Sequence, residues 1–365
     1  MLPDTAAFRR YLEAFLLMGG LVLVLEFAYL FLRRAVDEVQ FRRRQRLARQ
    51  FRPLVDALLA SPAPAAAIDT IVQAARPRDL DVLGDLLLAP LKVVSSGPIV
   101  DRVAAVVATL GIQREWTRRV ADRRWWIRAD ATRALGLLRD RSSVALILTR
   151  LDDEHEEVRA AAVEALGMMG DERVVPDLLD RLSDQSRHQR ARVVEALRGF
   201  GERVAGPIVG YVQRRPEHTA MAAELLGLVG GTGAVDDLVA WASHDAAEVR
   251  AAAVKSLGTV GLDERTFYHA LKALSDDSPE VRAMAARALG RSRRPDAARY
   301  LARCLDDEWV VAAHGATALR ALGATGVRTL ESRSGAEGQA GDLARQMLWE
   351  IGASAQFSPR EAASA

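Results

Sequence analysis

Residues able to carry out chemistry are few and scattered. Histidine falls at positions 155, 188, 218, 244, 269 and 314, and only His155-Glu156 forms a His-Glu pair. A metal centre needs several such ligands converging on one point with fixed geometry, so no metal and no other cofactor is expected, and no catalytic residue is assigned. Cysteine occurs once, at Cys304, which excludes a disulfide framework or thiolate cluster and fits a reducing compartment. The run GLVGGTG, Gly227 to Gly233, has the look of a phosphate loop but falls in a turn that recurs along the chain. What remains are groups suited to binding. In REWTRRVADRRWWIR, Trp116, Trp125 and Trp126 interleave with Arg114, Arg118, Arg119, Arg123, Arg124 and Arg128, a mixture of stacking surface and positive charge.

The element that must position these groups is a repeat. EVRAAAVEALGMMG, Glu157 to Gly170, returns with anchors at Ile127, Val158, Gln189, His218, Val249, Val281 and Val311, spaced 31, 31, 29, 31, 32 and 30 residues. Eight positions after each anchor stands a leucine, and four after it a slim residue: Ala131, Ala162, Val193, Ala222, Ala253, Ala285, Gly315. Both positions share one helix face. A period near thirty built of two short helices cannot bury its own apolar stripe and must stack on copies of itself. The fold class expected is all-α: an α-solenoid of about seven regular repeats and one or two degenerate ones.

On the second helices, the columns nineteen and twenty-three residues after the anchor bring Asp177 with Arg181, Tyr268 with Lys272, and Arg150, Trp241 and Tyr300 onto one face. With Trp125 and Trp126, these are the candidate partner-binding residues, a mixed aromatic and charged strip of the kind that forms protein hot spots. Arginine follows the anchor at Arg128, Arg159, Arg190, Arg250 and Arg282, and aspartate precedes it by five at Asp122, Asp153, Asp184, Asp276 and Asp306. Residues needed at every joint are structural: the aspartate caps a helix start and the arginine bridges to the neighbour.

The pattern V-R-x-x-A-x-x-A-L-G followed by Gly-Asp, as in Val158 to Asp171, resembles the short bacterial form of the HEAT repeat, found also in phycobilin lyases. The resemblance covers about residues 97 to 334. It implies an extended surface lined by the second helices. Deoxyhypusine hydroxylase resembles the chain in fold, but its several His-Glu pairs are missing here. The HEAT-like alkylpurine DNA glycosylases, which use tryptophans and an aspartate, invite comparison with Trp241 and Asp237. A lyase-like or glycosylase-like enzyme, or a nucleic-acid-binding protein, is therefore the alternative to a scaffold.

At the N-terminus, Ala14 to Leu32 reads AFLLMGGLVLVLEFAYLFL with one charge, long enough at ~1.5 Å per residue for the ~30 Å hydrocarbon core. A single transmembrane helix is expected. Basic residues gather after it, at Arg33, Arg34, Arg42, Arg43, Arg44 and Arg46 among others, against Arg9 and Arg10 before it. That predicts a bacterial inner-membrane location with the N-terminus outside and the repeats in the cytoplasm, and basic residues lying near anionic lipid headgroups. Glu26 inside the span is a candidate for contact with another membrane helix. The expected organisation is an N-terminal segment and span (1–32), a basic helix broken at Pro53 (33–60), irregular capping repeats (61–124), regular repeats (125–334), a capping helix completed by Trp349 (335–352) and a disordered tail (353–365). The net charge of +2 does not call for nucleic acid. The function expected is a membrane-anchored, non-enzymatic scaffold that docks a membrane-associated protein partner.

Overall fold

A computed structural model describes the backbone of residues 5–60, 64–93, 96–182, 187–229 and 232–357. Within these the protein is helical, and it divides into two compact units, Met1–Asp122 and Arg123–Ala365.

The first unit is built on one long helix, α1 (Thr5–Ala60), followed by α2 (Ala65–Ala74), α3 (Leu80–Leu88), α4 (Gly97–Thr109) and α5 (Ile112–Arg119). The C-terminal part of α1 buries Leu47, Phe51, Val55 and Leu58 in a core shared with Ile71, Leu83, Leu87, Val103 and Val107. The 3.6-residue period of those four side chains explains why Pro53 does not end the helix as expected. Pro53 stands inside α1, where apolar packing on both sides of it outweighs the lost backbone hydrogen bond.

Among the described residues no helix is long and apolar enough to cross a membrane. This corrects the expected transmembrane span at 14–32 and, with it, the single-pass inner-membrane location. From Met18 onward, where side chains are described continuously, an 18-residue window takes in Glu26, Arg33 and Arg34, too many charges for a hydrocarbon core. Leu23, Leu25 and Phe27 are exposed along this part of α1, and Glu26 is exposed beside them.

In the second unit the repeat appears as helix pairs. The first helices are α6 (Trp125–Leu137), α8 (Glu156–Met169), α10 (Arg187–Arg198), α12 (Thr219–Val229), α14 (Ala247–Val260), α16 (Pro279–Ser292) and α18 (Trp309–Ala321). The second helices are α7 (Val144–Leu148), α9 (Val175–Asp180), α11 (Ala205–Arg214), α13 (Val235–Trp241), α15 (Glu264–Ala273), α17 (Ala298–Cys304) and α19 (Ala324–Arg333), and α20 (Gln339–Phe357) closes the series. Every leucine of the repeat, from Leu135 to Leu319, is fully buried.

Successive first helices touch through glycine. A Cβ on Gly136 would lie 2.6 Å from the Ala165 Cα, on Gly167 2.9 Å from Ala196 Cα, on Gly227 2.9 Å from Ser256 Cα, on Gly258 2.6 Å from Ala288 Cα and on Gly290 2.7 Å from Ala318 Cα. Only glycine permits backbones to come this close. Gly227, read as part of an apparent phosphate loop, serves this packing; Gly230 and Gly231 lie outside the described residues. One internal joint breaks the rule. Arg198 stands at the glycine position of α10, Leu225 at the alanine position of α12, and Arg198 Nε donates to the Leu228 carbonyl at 3.2 Å. Arg320 holds the glycine position of α18 and pairs with Glu350 of α20 at 2.6 Å, so an arginine marks the last joint as well.

Among the described residues, the position twelve after the anchor has a left-handed backbone in each of six copies. Gly170, Gly201, Gly261 and Gly323 have φ of 63°, 59°, 117° and 64°, and the two copies without glycine force Arg139 and Arg293 to φ of 51° and 52°. On α20, Leu343 and Met347 are buried. Trp349 does not complete the cap as expected: it is 74% exposed, because it falls on the face of α20 away from α18 and α19. The helix runs on to Phe357, past the start expected for a disordered tail.

Candidate protein-interaction surface

Two kinds of charged residue occur in the second unit, those used to hold the repeats together and those left over. The first kind forms a ladder. Arg128 makes a two-pronged pair with Asp153 at 2.9 and 2.7 Å, Arg250 with Asp276 at 2.8 Å twice, and Arg282 with Asp307 at 2.8 and 2.7 Å. Each arginine belongs to one repeat and each aspartate to the next. Arg250 also donates to the carbonyls of His244 and Asp245, and Arg282 to those of Asp276 and Asp277. The aspartates accept from the backbone N–H of His155, Ser278 and Glu308, at the starts of the following helices. At the joint between α16 and α18 the carboxylate is Asp307, not the expected Asp306, which pairs instead with Arg333 of α19. Asp184 lies outside the described residues, and Gln213 occupies the aspartate position between α10 and α12, so that joint has no such rung.

The electrostatics of the ladder follow from this geometry. Burial pushes Asp153 up, but the Arg128 guanidinium and the His155 N–H outweigh it and hold the carboxyl below its usual range. Hydrogen bonds from Arg250 and Arg282 hold Asp276 and Asp307 down in the same way. Cys304 is buried, chiefly desolvated and also beside Asp307, which raises its thiol to about 11. A thiol so protonated is a packing group.

The residues left over are those read from the sequence as partner-binding, and the structure divides them. Trp125 stacks flat on His155, ring centroids 3.9 Å apart and planes at 5°, with Trp126 edge-on at 5.9 Å. His155 in turn accepts the N–H of Glu157 at Nδ1, so the stack is fixed to the start of α8. Trp126 is 50% exposed. Tyr268 is 66% exposed and edge-on to His269. Lys272, one turn further along α15, is exposed and lines a cavity of about 520 Å³ with His244, His269 and Asp276. Tyr300 is half-buried, its hydroxyl accepting from Arg299 at 3.0 Å and the guanidinium lying 4.7 Å over its ring. Trp241 is half-buried on α13.

Others are committed elsewhere. Arg181 pairs with Asp152 of the preceding repeat at 2.7 Å rather than with Asp177, which is exposed on α9. Arg150 turns toward Asp153 at 3.4 Å and joins the ladder. Two exposed aromatics complete the inventory: Trp309, at the start of α18 and 63% exposed, and Trp349 on α20. Trp309 was legible as a departure from the repeat; the exposure of Trp349 was not, since its spacing suits either face of α20. Among the described residues no group of three or more His, Cys, Asp or Glu side chains is placed to hold a metal ion. The basic residues Arg33, Arg34, Arg42, Arg43, Arg44 and Arg46 of α1 are all exposed, and Arg42, Arg43 and Arg46 line a groove.

Solved structures match the chain at low identity. The complex of CpcE and CpcF of phycocyanin lyase from Nostoc sp. PCC7120 matches over 66% of this chain and 94% of that one, at 17% identity and a TM-score of 0.30. Human deoxyhypusine hydroxylase matches over 84% and 98%, at 18% identity and a TM-score of 0.27. A mutant of Kap121p matches over 80% of this chain but only 40% of its own, at 14% identity and a TM-score of 0.45. No curated protein matches by sequence. HEAT repeats are matched at residues 115–198, 212–275 and 265–320, more than half of the chain, each match covering first helices with the buried leucine and glycine joints described above. The chain is a member of the HEAT repeat family.

Proposed function

We propose that the second unit is a non-enzymatic scaffold that docks a protein partner on the face of its second helices, with Trp125 and Trp126 as a further contact. The supporting observation is that Arg128, Arg250 and Arg282 are consumed by the joints, while Tyr268 remains 66% exposed beside Lys272 on α15 with no role in packing. A large aromatic ring next to a flexible cation suits a hot spot, and a stacked helix array presents such groups on one extended surface. The expected partner is itself a protein; nucleic acid is not required by a net charge of +2.

The test is site-specific photo-crosslinking in cells at Tyr268, at Trp126 and, as a control, at Thr317, exposed on α18. The reading expects one and the same protein adduct from 268 and 126, weakened by Lys272→Glu, and none from 317. Equal adducts from all three positions would sink it. A nuclease-sensitive adduct at 126 would move the assignment to the nucleic-acid alternative.

A further inference from the structure

In the first unit, three arginines of α1 meet two from the segment after α2. Arg42, Arg43 and Arg46 lie on one side of α1; Arg76 and Arg78 face them across a groove of about 760 Å³. Arg43 donates to the Arg78 carbonyl and reaches Asp79 at 3.5 Å, which fixes the α1 wall of the groove to the opposite wall. Asp79, itself buried, is the only carboxylate among the described residues lining the groove. Arg42 is paired with Glu38 outside it at 2.6 Å. Among the described residues, Arg46 and Arg76 have no carboxylate partner. Five guanidinium groups therefore stand around one concave space that a single carboxylate lines, with Glu38 outside it as the only other carboxylate partner among the described residues.

Like charges gathered in a groove repel one another, and the arrangement is relieved by an anion of high charge density. Guanidinium forks match phosphate oxygens two at a time, and the volume lies within the ~300–1,000 Å³ range of small-ligand sites. We propose that this groove binds a ligand carrying two or more phosphate groups, with Arg46 and Arg76 as its principal contacts from opposite walls. Such phosphates could be supplied by a soluble polyphosphate or by lipid headgroups, and the test distinguishes the two.

Tripolyphosphate is titrated into the purified full chain by calorimetry, and the same protein is tested for flotation with vesicles of phosphatidylcholine alone or mixed equally with phosphatidylglycerol. Arg46→Gln with Arg76→Gln removes the two unpaired groups without breaking the Arg43–Asp79 contact. Arg44→Gln with Arg49→Gln removes the same charge from exposed positions of α1 outside the groove. The expected result is tripolyphosphate binding that falls about tenfold or more in the groove variant, stays within about twofold of the parent in the control, and weakens steeply with salt. Flotation only with the anionic vesicles, competed by tripolyphosphate, identifies the headgroup source; tripolyphosphate binding without flotation identifies a soluble one. Equal losses in both variants, or no binding in either arm, would overturn the proposal.

Discussion

Replacing Gly258 with alanine tests whether the glycine column sets the spacing of the array. Glycine to alanine in a helix interior ordinarily stabilises by up to about 1 kcal/mol, through helix propensity. At Gly258 the new Cβ would stand 2.6 Å from the Ala288 Cα and 2.5 Å from its Cβ, against 3.4–4 Å for ordinary contact. The obstructing atoms are backbone and a methyl with no rotamer to change, so α14 and α16 must separate by nearly an ångström. Overpacking of this kind costs about 1–3 kcal/mol, which offsets the gain of about 1 kcal/mol and leaves a net loss of about 0–2 kcal/mol. Gly210, in the interior of α11 with nothing within 4 Å, is the control, expected to gain about 0.5–1 kcal/mol on substitution. Urea unfolding of the full chain followed by circular dichroism reads the difference, and hydrogen exchange shows whether faster opening is confined to α14 and α16, as nearest-neighbour coupling requires. A Gly258→Ala protein as stable as Gly210→Ala would refute the argument.

Removing one partner of the buried Arg128–Asp153 pair by Arg128→Ala should destabilise by at most about 3–5 kcal/mol, measured by the same unfolding, because it leaves the buried carboxylate with only Arg150 at 3.4 Å and the His155 N–H. The three ladder carboxyls titrate below their ordinary 3.8 in the folded chain; their stabilisation is therefore complete above that value and lost as the pH falls below it toward their folded values, so a thermal melt should shift downward in acid from about pH 4. Arg139→Gly and Arg293→Gly, which relieve the left-handed strain at φ of 51° and 52°, should each raise stability by about 0.5–1 kcal/mol. Arg198→Gly combined with Leu225→Ala restores the close joint between α10 and α12, and exchange in both helices should slow; unchanged exchange would mean these side chains do not hold the joint apart. Cys304 should resist thiol reagents at neutral pH until the chain unfolds, and labelling at the rate of a free thiol would contradict its burial.

Much of the fold was legible because the repeat writes the same physical demand seven times. The leucine column, the slim column and the twelve-residue spacing to a left-handed residue each name a contact that recurs, and a recurring contact leaves a periodic trace. The candidate surface was legible only in part. Tyr268 and Lys272 stand exposed together on α15, whereas the spacing that put Arg181 with Asp177 hid its partner one repeat away, Asp152, and Arg150 proved to belong to the joints. Spacing within a helix shows which side chains share a face, but not which neighbour across the joint competes for them. Asp307 in place of Asp306 follows from the same limit: adjacent carboxylates are indistinguishable until the position of the Arg282 guanidinium is known.

At the N-terminus the apolar run suggested a membrane span that no described helix supports, and the α1 arginines were legible as a basic cluster, but not the groove they form with Arg76 and Arg78. Composition and periodicity alone determined that the chain is a stack of helix pairs, because helix faces and turn residues are local properties repeated along it. Tertiary structure alone decided which charges neutralise one another across joints, which aromatics remain outside, and that Arg46 and Arg76, thirty residues apart in sequence, face one space. Those outcomes depend on distances between segments, which a one-dimensional pattern does not contain.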